Sequence, residues 1–91
     1  MRYIIGGKVY DTEKSTLICT FEEERENPME LNIKNEMYVT PKKQIFLVKY
    51  DHKGVCEAKK LDEIESRELL DRHCINIDYN AYTSIFETED A

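Results

Sequence analysis

The stretch EMYVTPKKQIFLVKY, residues 36 to 50, decides the fold. Glu36 to Thr40 and Gln44 to Tyr50 are runs rich in β-branched and aromatic residues, joined by Pro41, Lys42 and Lys43, so they read as two paired strands. Inside the second run, Ile45, Phe46, Leu47 and Val48 are apolar without alternation. A strand with one wet face alternates with a period of two, so an unbroken apolar run predicts a central strand covered on both sides. Asp51 to Gly54 has turn chemistry, with a side-chain acceptor at one end and a glycine at the other, and Val55 to Lys60 follows as a further strand.

Toward the N-terminus, Thr16 to Phe21 is a strand, and Arg2 to Ile5 with Lys8 to Tyr10 forms a hairpin across Gly6-Gly7, a pair that accepts positive φ. Asp11 and Thr12 offer oxygens that cap a turn at Glu13, Lys14 and Ser15. Asn27-Pro28 breaks the chain, and Met29 to Lys34 reads as an irregular edge segment. From residue 61 the period changes. Asp62, with Glu65 three positions on, opens a capped helix running to about His73. Ser66, Leu69, Leu70 and His73 share its inner face, and Glu63, Arg67, Glu68 and Asp71 point outward. A second, aromatic-rich helix is expected from Asp78, carrying Tyr79, Tyr82, Ile85 and Phe86, with a frayed tail over Glu87 to Ala91. The expected fold class is α+β: an antiparallel β-meander of about five strands followed by two C-terminal helices packed on it. All of it is one domain over residues 1–91, with strands in 1–60 and helices and tail in 61–91.

Leu, Ile, Val and Phe supply 22 of 91 residues, enough for one small folded domain with a thin core. No apolar run is long enough to span a bilayer and the first eleven residues lack the stretch of a secretory signal, so a cytoplasmic protein with no membrane partner is expected. Cys19, Cys56 and Cys74 are odd in number and widely spaced, which excludes a disulfide scaffold; all three are expected to be reduced and buried. His52 with Cys56, and His73 with Cys74, lack zinc-ligand spacing, and no oxyanion turn accompanies either cysteine. No metal, no cofactor, no catalytic residue and no enzyme activity are expected.

The net charge of −6 is unevenly distributed. Residues 11 to 33 hold two bases and seven acids, 34 to 61 seven bases and three acids, and 62 to 91 two bases and nine acids. Phosphate attraction needs clustered cations, so the surface as a whole does not suit nucleic acid. A charged run is ordinarily a solvated face. The alternative is a surface that repels phosphates and attracts basic protein grooves. The basic middle supports a different reading, because Tyr38, Phe46 and Tyr50 interleave with Lys42, Lys43, Lys49 and Lys53 as a single-strand platform would require. Against direct nucleic-acid binding, Phe46 is expected to be buried and Lys49 and Tyr50 to face opposite ways.

The strings GKVYDTE (7–13), EMYVTPKKQIFLVKY (36–50), LDEIESRELLDRH (61–73) and YNAYTSIFE (79–87) resemble a family of small proteins from phages and mobile elements of Gram-positive bacteria. That family has the pattern KxYDTxxA, ETLYxTxxGxFFL, LSExEAxxWLExH, YExIF, and some members are linked to anti-CRISPR activity. The resemblance covers about half the chain and implies a shared fold. With the charge pattern, it implies an inhibitor acting as a DNA mimic. Glu22, Glu23, Glu24 and Glu26, or Glu63, Glu68 and Asp71, would present carboxylates to a nucleic-acid groove of a host defence nuclease, a CRISPR-Cas effector. The alternatives are a small nucleic-acid-binding protein using the central hairpin, and a structural or adaptor protein that forms a homodimer through an exposed edge strand.

Overall fold

The computed structural model describes residues 1–23, 32–73 and 86. Six antiparallel strands, β1 (Arg2–Ile5), β2 (Lys8–Asp11), β3 (Thr16–Glu23), β4 (Ile33–Val39), β5 (Ile45–Asp51) and β6 (Gly54–Leu61), are followed by one helix, α1 (Glu63–His73). β3 to β6 form a four-stranded meander in sequence order, whereas β1 and β2 form a separate two-stranded sheet. No described helix is long and apolar enough to cross a membrane.

The expected single sheet of about five strands is therefore corrected to two sheets, and the apolar run explains why. Ile45 and Leu47 enter a core with Cys19, Phe21, Met37, Leu61, Leu70 and Phe86, on the α1 side of the meander. Phe46 and Val48 enter a second core with Tyr10, edged by Tyr3, Ile5, Tyr38 and Tyr50, under the β1–β2 hairpin. A single meander with helices on one face would leave Phe46 and Val48 in water. Full burial of each stabilises by about 1.5–3 kcal/mol, so the hairpin folds over as a third layer. Tyr10 and Tyr38 both lie 5.3 Å from Phe46, ring to ring.

Local chemistry sets the connections. Gly6 and Gly7 both take positive φ, as a two-residue hairpin turn requires. The Glu13 N–H donates to Asp11 Oδ1 at 2.9 Å and the Lys53 N–H to Asp51 Oδ1 at 2.8 Å, so two aspartates shape their own turns. The Glu65 N–H donates to Asp62 Oδ1 at 2.7 Å, which is the N-cap expected of α1. One helix is present among the described residues, against the two expected; residues 78–85 of the second lie outside the description, and Phe86 is buried in the α1-side core. β4 begins at Ile33 rather than Glu36, because Lys34 and Asn35 pair with Glu22 and Phe21 on one side and with Tyr50 and Lys49 on the other. Lys34 and Asn35 are poor strand formers, and pairing on both sides overrides that preference.

The expectation of three reduced cysteines is also corrected: Cys19 is disulfide-bonded. Three cysteines exclude a scaffold of bridges but leave room for one. Cys19 is 7% exposed and faces the α1-side core, where the sequence alone could not show a second sulfur within reach.

Candidate functional site

β3 is an edge of the meander, and α1 packs against it. The seam is a ring stack: His73, in the last turn of α1, lies over Phe21 with centroids 4.1 Å apart and planes 2° from parallel. The two residues after Phe21 are Glu22 and Glu23, so the stack docks the end of the helix on the acidic end of the strand. Glu22 is exposed. Glu23 accepts from Lys49 Nζ at 2.9 Å, which neutralises much of its charge. Glu24 and Glu26 lie outside the described residues. On α1, Glu63 accepts from Arg67 Nη2 at 2.7 Å, one turn apart, and Arg67 also lies 5.1 Å from the Phe86 ring. Glu68 and Asp71 are exposed and face away from Ser66 and Leu70, which are buried. Of the described candidate carboxylates, Glu22, which accepts from Asn32 Nδ2 at 3.5 Å, Glu68 and Asp71 are therefore the exposed ones that form no ion pair among the described residues.

Ile64 escaped the sequence reading. It is 70% exposed, and with Glu68 and Asp71 it follows i, i+4, i+7 spacing, so one apolar and two acidic side chains form a stripe on the outward face of α1. The signal was available: the helical spacing that groups Ser66, Leu70 and His73 inward groups these three outward. A single exposed aliphatic residue is ordinary on a protein surface; beside carboxylates it can anchor a contact that those charges steer.

The basic and aromatic residues of the central hairpin do not come together as a platform. Phe46 is fully buried, Lys49 is on the α1 side with Glu23, and Tyr50 is on the opposite side with Val48. Tyr38 Oη donates to Glu36 at 3.3 Å. Burial, and then the Glu36 carboxylate, push the Tyr38 and Tyr50 hydroxyls above the usual phenol range, so both remain neutral and structural. Among the described residues no group of three or more His, Cys, Asp or Glu side chains could hold a metal ion. His52 is exposed on the β5–β6 turn, and His73 is committed to Phe21.

One polar group sits badly. Asn35 is fully buried between Phe21 and Lys49 in the cross-strand register. Its Nδ2 donates to the Ile33 carbonyl at 3.4 Å, while its Oδ1 has no partner. A buried acceptor left unmatched costs about 1–3 kcal/mol. Asn35→Leu, which keeps the shape and removes the polar atoms, is expected to raise stability by about that amount, read as a higher urea midpoint at unchanged m. A lower midpoint would mean that the amide contributes a bond the native fold needs.

The described residues thus form a small α+β fold of three layers, with an acidic helix face exposed on one outer layer. No family model, no curated protein and no solved structure matches the chain.

Proposed function

We infer that the chain is a non-enzymatic inhibitor from a mobile element. It docks the acidic face of α1 and the acidic end of β3 on a basic nucleic-acid groove of a host defence nuclease of the CRISPR-Cas kind. The observation that carries the reading is the Phe21–His73 stack, which sets the end of α1 that bears Glu68 and Asp71 against the strand leading into the acidic stretch from Glu22. Carboxylates held on an ordered helix and strand can meet arginine and lysine side chains arranged for phosphates, and they do so without the ordering cost a flexible acidic tail would incur. The mechanism is competition: the groove, once covered, no longer accepts nucleic acid. The resemblance to phage and mobile-element proteins supports the choice of partner.

Association should be steered by charge and therefore weakened by salt. Binding of the purified chain to a guide-loaded Cas nuclease, followed by biolayer interferometry, is expected to lose about tenfold or more in association rate between about 50 and about 300 mM NaCl. An association rate unchanged across that range would reject phosphate mimicry even if inhibition were real.

A further inference from the structure

We propose that the hollow between β2 and the β4–β5 turn is a binding site for a ligand carrying a terminal phosphate group. The hollow has a volume of about 480 Å³ and lies on the hairpin layer, across the meander from α1. Three lysines from three segments line it: Lys8 of β2, Lys14 of the turn that follows, and Lys42 of the β4–β5 turn. Among the described residues, none of the three side chains forms an ion pair or hydrogen bond. In a protein of net charge −6, unpaired like charges around one concavity repel each other, and an anion between them relieves that repulsion.

The remaining walls suit the same ligand. Tyr10, at 2% exposure, supplies an apolar floor, and Gln44 offers a neutral side-chain amide. Asp11, the one carboxylate in the lining, is already matched: it accepts from the Glu13 N–H and from Arg2 Nε at 3.4 Å. Those bonds, the backbone one foremost, hold its carboxyl below the usual range, so it stays an anion tied to its own turn. The turn that carries Lys42 is rigid. The Thr40 N–H donates to the Gln44 carbonyl at 2.8 Å, the Lys43 N–H to the Thr40 carbonyl at 2.8 Å, and the Gln44 N–H to Thr40 Oγ1 at 3.0 Å, with Lys43 in the left-handed region at φ 62°.

A terminal phosphate is favoured over a continuous phosphodiester strand for two reasons. It carries close to two charges at neutral pH, against one for a diester, and so gains more from three cations in one place. The second hollow that shares Gln44 is lined by Lys43 and Lys60 together with Asp62 and Glu63, so its charges balance and offer a continuing strand no net cationic track. The ligand enters end-on, as a free mononucleotide does or as the 5′-phosphorylated end of a strand does.

The test is a ¹⁵N–¹H correlation titration of the full chain with four probes: adenosine 5′-monophosphate, adenosine, and a short oligothymidylate with and without a 5′-phosphate. Shifts confined to residues 8–15 and 40–44 are expected with the monophosphate and absent with adenosine. The phosphorylated strand giving the same shifts would extend the site to strand ends, and its failure to do so would assign the site to the free nucleotide; both outcomes support the proposal. Lys14→Gln with Lys42→Gln should weaken binding by about tenfold or more, Lys14→Arg with Lys42→Arg should preserve it within a few-fold, and the spectra themselves report whether each variant is folded. Affinity should fall below about pH 6 as the phosphate takes its second proton. Equal shifts from the unphosphorylated strand, or no shifts from any phosphate at millimolar concentration, would overturn the assignment.

Discussion

Reversing two charges on α1, Glu68→Lys with Asp71→Lys, is expected to slow association with the nuclease by about 10- to 100-fold while changing thermal stability by less than about 0.5 kcal/mol. Both side chains are exposed and make no packing contribution to the core, so the fold loses little. Neither forms an ion pair among the described residues, whereas Glu63 pairs with Arg67. Glu63→Gln should accordingly have a small effect on rate. Ile64→Ala separates steering from anchoring: it leaves the charge unchanged, so the association rate should hold while dissociation speeds up by about tenfold. Surface plasmon resonance on the four proteins reads both rates, and circular dichroism melts read stability. If the double reversal binds as the parent does, the α1 face is not the docking surface. If Ile64→Ala and the reversal change the same rate constant, the division into anchor and steering charges is wrong.

Residues 45 to 48 made the centre of the fold legible, because four consecutive apolar positions leave no strand face for water. The helix was legible for the same kind of reason: Asp62 and Glu65 mark its start, and Ser66 and Leu70 mark its buried side. The layering was harder. Nothing in Arg2 to Asp11 states whether that hairpin extends the sheet or lies over it, since either placement satisfies its own hydrogen bonds; the need of Phe46 and Val48 for a cover settles it. The start of β4 was hidden by Asn35 and Lys34, whose preferences oppose the strand that their neighbours impose. The acidic residues could be named from the sequence, but not that Phe21 and His73 hold α1 against β3, because a ring stack across fifty-odd residues leaves no periodic trace. The lysine-lined hollow was invisible for a related reason: Lys8, Lys14 and Lys42 belong to three turns and strands, and only folding places them around one space.

Reduction of the Cys19 bridge is expected to lower stability by about 2–4 kcal/mol, which for a domain of this size is a fall in melting temperature of roughly 10 to 25 °C. The effect is large because total stability for a chain of 91 residues is itself only about 5–14 kcal/mol. Cys19 sits opposite Met37 in the strand register and shares the α1-side core with Phe21, Met37 and Leu70, so the bridge acts where the helix meets the sheet. Melting by circular dichroism with and without a phosphine reductant checks the size of the effect. Cys19→Ala supplies the control, since its melting point should not respond to reductant. Thiol titration of the unfolded, unreduced chain should find one free thiol, as three cysteines with one bridge require; three free thiols, with identical melts in both conditions, would remove the bridge from the account. The same experiment bears on where the protein can work. A reducing cytosol opens most bridges, so a chain that keeps its acidic face ordered only when oxidised would bind its partner poorly there. Binding measured in reductant therefore separates two cases. Affinity retained means that Leu70 and the Phe21–His73 stack hold α1 on β3 by themselves; affinity lost together with the melting point means that the bridge is what keeps α1 docked on the sheet.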